Sequence, residues 1–172
     1  MTRITENSIT KYFYSYTPII LLFISVLNEF DFNYLGMDYF SFNFSYILIF
    51  YYSLKKSQSL GYGLIFIAGL FNDVVLSMPL GISSLIYLLI CGFAAYLRNI
   101  TLRPSLIKDW IFFLITISVV NSLLYTILTF ILSFKIDYFY FAANTIFTFL
   151  LYIIFSYLFD FYENKIIGRA ND

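Results

Sequence analysis

One carboxylate lies within an apolar stretch of this sequence and is its clearest candidate for chemistry. Asp73 follows Gly61, Ile65 and Gly69 at successive spacings of four, so a helix would place these residues on one slowly drifting face. The two glycines would allow a second helix to approach closely, and the carboxylate would end that face. Two roles are open: Asp73 caps the outer end of its helix, or it pairs with a backbone turn or a partner protein.

Polar side chains recur at helical spacing in two later apolar segments. If the two stripes face each other, they predict hydrogen bonds between helices; if they do not, they predict a polar cavity for a small ligand. The spacing alone does not decide between these interpretations. The stripes consist of Ser118, Asn121, Ser122 and Tyr125 in one segment, and of Asn144, Thr148, Tyr152 and Ser156 in the other.

Several kinds of chemistry lack the residues they need. The sequence has no histidine, which removes the commonest general base and metal ligand, and its one cysteine, Cys91, has no partner for an intramolecular disulfide. Apart from Asp73, no ionised group lies well inside an apolar segment, which argues against coupled transport. Net charge is zero, with no basic run for nucleic acid. We therefore expect no enzyme activity, no cofactor, no metal and no nucleic-acid partner.

The composition predicts that these residues lie on membrane helices. The sequence is 61% apolar and only 12% charged, and its mean hydropathy is +0.84, so it has too little polar surface to coat a water-soluble domain. A helix needs roughly 20 apolar residues to cross a bilayer, and six apolar segments come near that length. We predict one all-α membrane domain over 1–172, with helices at about 12–28, 39–54, 57–77, 81–97, 110–134 and 138–159. We expect the 22 Phe and 17 Tyr mainly to face lipid and its interfaces.

The basic residues predict the orientation of these helices. Positive charge concentrates in cytoplasmic loops, and nine of the ten Lys and Arg residues fall before the first predicted helix, after the sixth, or in alternate loops between them. The remaining loops hold only one basic residue, Lys135. Both termini are therefore predicted to be cytoplasmic. The nine residues are Arg3, Lys11, Lys55, Lys56, Arg98, Arg103, Lys108, Lys165 and Arg169.

The stretch from Tyr46 to Leu97 resembles the rod shape-determining protein MreD family. That family is identified by an aromatic helix end followed by basic residues, then a Gly-Leu pair followed by Asp, then a Pro-Leu-Gly turn. These elements occur here in order. They are Ile47 to Lys56 (ILIFYYSLKK), Gly61, Phe66 to Asp73 (FIAGLFND) and Pro79-Leu80-Gly81, and Pro18 in the first apolar segment is similar to the family's start.

The resemblance implies a non-catalytic component of the bacterial cell-wall elongation machinery, in the inner (cytoplasmic) membrane. Its implied partners are an MreC-like protein, the actin-like MreB filament, a RodA-like glycosyltransferase and a class B penicillin-binding protein. The motif residues Gly69, Asp73, Pro79, Leu80 and Gly81 are then the candidates for partner contact. Structurally, they also make sense as a helical hairpin whose turn is reversed by Pro79-Leu80-Gly81.

The resemblance also gives an alternative function, and one predicted cytoplasmic loop carries three cations. The MreD family is similar in helix arrangement to the substrate-binding membrane subunits of energy-coupling-factor vitamin transporters, which gives an alternative function. Such a subunit would bury a vitamin among the outer helix ends. In addition, Arg98, Arg103 and Lys108 lie in the longest predicted cytoplasmic loop, where they either contact acidic partners or anionic lipid, or only set the topology.

Overall fold

The computed structural model describes residues 16–27, 41–56, 59–101, 105–133 and 138–163, and helices are the only regular elements of any length within them. Each predicted segment overlaps one observed helix, and α2, α4, α5 and α6 extend one to four residues beyond the predicted bounds. The ends of the predictions at 12–15, 28, 39–40, 57–58 and 134 lie outside the described residues. The helices are α1 (Tyr16–Leu27), α2 (Phe44–Lys55), α3 (Tyr62–Val75), α4 (Ile82–Ile100), α5 (Leu106–Thr126, continued by a π-helical turn, Ile127–Ile131) and α6 (Tyr138–Tyr162).

Three of these helices are long and apolar enough to cross a membrane: α4, α6, and α5 together with its π-helical turn. The helices α2 and α3 have only 12 and 14 residues, and α1 is similarly short. At about 1.5 Å per residue, a helix of this length falls short of a hydrocarbon core of roughly 30 Å. The positions of the first three predicted segments therefore agree with the structure. Described non-helical residues precede α2 and flank α3, so these two helices are shorter than their apolar stretches.

The end of α3 shows why an apolar stretch can extend beyond the helix that it contains. Ser77 takes a left-handed conformation with φ of 52°, which an α-helix cannot continue. The Met78 N–H then donates to the Asp73 carbonyl oxygen at 2.8 Å, and the Leu76 N–H donates to that of Asn72 at 2.9 Å. This pattern closes a helix C-terminus and satisfies its last carbonyl groups. The helix stops at Val75 although the sequence remains apolar beyond it.

The helices alternate in direction along the chain. Contacts between side chains place the C-terminal ends of α2, α4 and α6 with the N-terminal end of α5. We call this the basic end, because it carries Lys55, Lys56, Arg98 and Lys108. The hydrogen bonds that fix the directions join Ser25 to Ser45 (2.8 Å), Asp73 to Gly81 (2.6 Å), Arg98 to Ser53 (3.0 Å), Lys55 to Asp160 (2.7 Å) and Asn121 to Thr145 (2.8 Å).

Among the described helices, α2 is the most enclosed and lies at the centre of the bundle. Every residue of α2 from Ser45 to Leu54 is buried, and the helix packs mainly against α4 and α6. Phe50 packs against Phe113 and Tyr152, whose rings stack with centroids 4.4 Å apart. The expectation that aromatic residues mainly face lipid is therefore wrong for α2, where aromatic rings fill the core.

The long helices α5 and α6 are, unlike α2, largely exposed on one side. Large apolar side chains remain exposed along both of them, and a surface of this kind is unfavourable in water but matches hydrocarbon. The aromatic and aliphatic residues concerned include Ile107, Ile111, Ile115, Val119 and Phe130 on α5 and its π-helical turn, and Phe139, Ile146, Leu150, Ile154 and Tyr157 on α6. The fold thus combines an enclosed aromatic core with an apolar outer wall.

Candidate functional site: the carboxylate-capped hairpin

Asp73 lies fully buried in the last turns of α3 and caps the start of α4. Its Oδ2 atom accepts a hydrogen bond from the Gly81 N–H at 2.6 Å, and its Oδ1 atom accepts one from the Ser83 N–H at 2.8 Å. The Gly81 N–H immediately precedes α4 and the Ser83 N–H lies in its first turn, where backbone N–H groups have no partner within their own helix. The negative carboxylate also interacts favourably with the positive end of the α4 dipole. Asp73 therefore holds the two helices together through the backbone turn.

The turn between α3 and α4 depends on backbone conformation at Gly81. This residue immediately precedes α4 and has a φ of +105°, which is available to glycine at little cost but strained for other residues. Pro79 and Leu80 precede it and are exposed, and 70% of the Leu80 surface is accessible. The Pro-Leu-Gly turn thus places one large apolar side chain at the tip of the hairpin, at the end of the bundle opposite the basic end.

Gly69 is the point of closest approach between α3 and α4. A Cβ atom added at this residue would lie 2.8 Å from the Ser84 Oγ atom and closer still to the Ser84 backbone, so only glycine fits without displacement. The Ser84 hydroxyl donates to the Phe66 carbonyl oxygen at 2.9 Å, one turn earlier on α3. Close backbone contact through a small residue is a common way for membrane helices to pack. The predicted stripe is thus a helix-packing face from Ile65 to Asp73, whereas Gly61 precedes α3 and is exposed.

The hairpin brings together all five motif residues that the sequence analysis singled out. Gly81 is half-buried at the start of α4, and the other four differ in exposure. Gly69 and Asp73 are buried and make their contacts within the chain, whereas Pro79 and Leu80 are exposed. Both carboxylate oxygens of Asp73 are already occupied by backbone N–H groups. The site orients two helices and presents the tip of a turn.

The predicted loop cations differ in their surroundings. The Arg98 guanidinium is half-buried and donates from Nη1 to the Ser53 carbonyl oxygen at 3.0 Å, which joins the ends of α4 and α2. Lys108 is exposed in the first turn of α5. Arg103 lies outside the described residues. Of the three, Arg98 has a packing role that its position in the sequence did not reveal.

A second charged cluster, missed by the sequence analysis, joins α2 to α6 at the basic end. Lys55 Nζ lies 2.7 Å from both Asp160 carboxylate oxygens, and the Tyr51 hydroxyl donates to Oδ1 at 2.7 Å. Beside it, Lys56 Nζ lies 3.1 Å from Glu163 Oε2. The sixth helix was predicted to end at residue 159, but it continues past Asp160 to Tyr162. The sequence signal for this cluster was the position of two Lys and two acidic residues at the ends of apolar segments.

The two polar stripes do not face each other as one interpretation required. In the α6 stripe, Asn144 and Thr148 face the chain before α2: Asn43 Nδ2 donates to Asn144 Oδ1, and the Asn43 N–H donates to Thr148 Oγ1, both at 2.9 Å. In the α5 stripe, Ser118 and Ser122 are exposed. Periodicity located each polar face correctly but could not identify the neighbour of that face.

Two residues of the α5 stripe contact α6. The Tyr125 ring packs against those of Tyr138 and Phe141, with centroids 4.6 and 6.2 Å apart, and Asn121 makes a hydrogen bond. Asn121 is buried, and its Nδ2 group donates to Thr145 Oγ1 at 2.8 Å. Thr145 lies one position after Asn144 and therefore points to a different side of α6. The interhelical hydrogen bond that was predicted exists, but it uses a residue outside the predicted α6 stripe.

A cavity of about 190 Å³ opens at the end opposite the basic end, and all six helices contribute residues to its lining. Its lining includes side chains with hydroxyl or amide groups and aromatic rings, and none of the described lining residues is charged. Among the described residues, no three potential metal ligands of the His, Cys, Asp and Glu types come together. The polar lining residues are Ser25, Ser41, Asn43, Ser45, Tyr46, Asn72, Ser83, Tyr87, Tyr140 and Asn144.

Comparison with known proteins identifies no relative of this chain. The chain matches no protein-family model, no curated protein and no solved structure.

Proposed function

We propose that this chain is an MreD-like, non-catalytic component of the bacterial cell-wall elongation machinery in the inner membrane. In this role it binds an MreC-like protein, a RodA-like glycosyltransferase and a class B penicillin-binding protein, and so helps to maintain cell shape. The observation that carries the proposal is the hairpin of α3 and α4. Gly69, Asp73 and Gly81 are separated in sequence, yet each is required for one local structure, as the resemblance to MreD implies.

The topology that belongs to this proposal has six crossings and both termini in the cytoplasm. The alternating helix directions support it, because the described cations Lys55, Lys56, Arg98 and Lys108 gather at one end. The helices α1, α2 and α3 cross as part of a bundle in which the longer α4, α5 and α6 supply much of the apolar wall. The basic end is then cytoplasmic, and the hairpin tip at Leu80 is on the periplasmic side.

The hairpin tip is the proposed contact with the MreC-like partner. Leu80 is large, apolar and 70% exposed, and it belongs to a turn whose backbone is fixed by the Asp73 carboxylate. A rigid turn loses little conformational entropy when it binds, so one exposed anchor can contribute substantially. We expect Leu80→Glu to reduce recovery of the MreC-like protein about tenfold or more in a quantitative pull-down from native membranes.

The matched control is Ile131→Glu. Ile131 is 72% exposed and lies beyond α5 at the same end of the bundle, so it tests whether any new charge there disrupts binding. The control protein should retain the partner, and both variants should be produced at the level of the parent protein. Equal recovery of the partner with Leu80→Glu and with the parent protein would remove the hairpin tip from the proposal.

The substrate-binding membrane subunit of a vitamin transporter is the second candidate, and the cavity is the observation that favours it. The cavity lies at the helix ends opposite the basic end, where the sequence analysis expected such a subunit to hold its ligand. This function would require association with cytoplasmic ATPases and a coupling subunit. Recovery of those proteins in the same pull-down, in place of cell-wall synthesis proteins, would favour this candidate.

A further inference from the structure

The described lining of the cavity at the end opposite the basic end is uncharged and partly polar. Its described lining residues supply serine hydroxyls, asparagine amides and tyrosine hydroxyls, and no charged side chain. An ion that met only these described residues would lose its hydration without gaining a counter-charge, which is costly. A purely apolar molecule would separate the polar groups from water without replacing their hydrogen bonds.

Several polar atoms of this lining are not used within the described part of the chain. Tyr46 is only 6% exposed, and no hydrogen-bond partner for its hydroxyl lies among the described residues. The Asn43 and Asn72 amide groups donate through Nδ2 to Asn144 and Ser83, both at 2.9 Å, and their Oδ1 atoms have no partner there. One potential donor and two acceptors at the cavity therefore remain open to a molecule that enters it.

The size and shape of the cavity limit what it can hold. A cavity of 150 Å³ elsewhere is known to hold benzene, so about 190 Å³ corresponds to one ring with a small substituent. Tyr46 and Tyr87 meet edge to face at the lining, with ring planes at 87° and centroids 6.0 Å apart. Aromatic walls of this kind favour a flat ligand.

We infer that this cavity binds a neutral molecule of about one ring that carries both hydrogen-bond donor and acceptor groups. The donor groups of the ligand satisfy the Asn43 and Asn72 oxygens, and its acceptor satisfies the Tyr46 hydroxyl. The inference goes beyond the proposed scaffold function and does not depend on it. Under the transporter alternative, it states the chemical class of the ligand.

The test uses three molecules of nearly equal size and different polarity. Benzamide is neutral and has both a donor and an acceptor, benzoate is charged, and toluene is apolar. Binding of each to the full-length protein in detergent micelles is measured by saturation-transfer NMR titration, with empty micelles subtracted. We expect benzamide to bind with a dissociation constant on the order of 1 mM, as befits so small a ligand, and at least tenfold more tightly than benzoate or toluene.

Two variants locate the binding in the cavity. Tyr46→Phe removes only the hydroxyl and keeps the ring, and loss of one neutral hydrogen bond should weaken benzamide binding about fivefold. Tyr96→Phe makes the same change on the exposed side of α4 and should leave binding unchanged. Equal binding of benzamide and toluene, equal binding by the parent and the Tyr46→Phe protein, or a cavity that holds water only would each overturn the inference. Recovery of cell-wall partners is a separate readout, so failure of one proposal leaves the other intact.

Discussion

At the scale of single residues, the Asp73 carboxylate replaces the missing partners of two backbone N–H groups at the start of α4. Asp73→Asn keeps the shape of the side chain but turns one acceptor into a donor that faces an N–H group. We expect this variant to lower the free energy of unfolding by about 2 kcal/mol, because both a charge-assisted hydrogen bond and the helix-dipole interaction are lost. SDS titration in mixed micelles measures the change.

A neutralised charge elsewhere provides the control for Asp73→Asn. Lys108→Gln alters an exposed side chain in the first turn of α5 and should change the unfolding free energy by less than about 0.5 kcal/mol. If Asp73→Asn behaves like Lys108→Gln, the carboxylate does not cap α4 in the membrane.

Gly69 gives a steric prediction at the same scale. The Cβ of Gly69→Ala would overlap the backbone and the hydroxyl of Ser84, so α3 and α4 must separate. We expect destabilisation of about 1–3 kcal/mol, the usual range for overpacking. Gly63→Ala is the matched control on the same helix, because a Cβ there meets nothing within 4 Å. The same SDS titration should show Gly63→Ala to be neutral or stabilising, since alanine favours helix; equal losses from both substitutions would argue against close packing at Gly69.

At this scale, the sequence predicts local structure best where a single residue determines the backbone conformation. The spacing of Gly69 and Asp73 and the Pro79-Leu80-Gly81 sequence predicted a tight hairpin, and the structure places them in one. The same reasoning could not decide whether Asp73 binds a backbone turn or a partner, because a carboxylate accepts either kind of donor. It missed Asp160 because a charge usually ends an apolar helix, whereas here Lys55 compensates for it.

At the scale of helices, the Lys55–Asp160 ion pair fixes the end of α2 against α6. Both side chains are partly exposed, so the direct coupling should be modest, about 0.5–1 kcal/mol in a double-mutant cycle of Lys55→Gln and Asp160→Asn. Asp160→Asn should cost more than Lys55→Gln, because Asp160 also accepts the Tyr51 hydroxyl. SDS titration of the four proteins provides the cycle. A coupling of zero, with equal single effects, would mean that α2 and α6 are held by their aromatic contacts alone.

The arrangement of helices could be predicted only in part. Alternation of charge and apolar segments correctly located six helices within the described residues, because each span must end where polar groups can reach water. The central position of α2 could not be predicted from its sequence. A helix that is apolar all round is either enclosed by protein or surrounded by lipid, and its periodicity does not distinguish the two. The neighbour of the Asn144 and Thr148 face was unpredictable for a related reason, since spacing defines a face but not its partner.

At the scale of the whole molecule, the proposed topology makes the two ends of the bundle chemically distinguishable. Cysteine is introduced singly at two exposed positions, Leu80→Cys and Lys108→Cys, in a Cys91→Ala background. A membrane-impermeant maleimide applied to the periplasmic side of intact cells should label Leu80→Cys. It should label Lys108→Cys only after the inner membrane is permeabilised. The reverse pattern would place the basic end outside, and labelling of both without permeabilisation would put the two sites on the same side.

The proposed function requires this protein to bind cell-wall synthesis proteins, and co-purification measures that binding. The tagged full-length protein is extracted from its native membranes in mild detergent, and proteins that remain bound after washing are identified by mass spectrometry against an untagged control. The account predicts enrichment of an MreC-like protein and a class B penicillin-binding protein. Enrichment of ATPases with a coupling subunit and a bound vitamin, or no enrichment over the control, would contradict it.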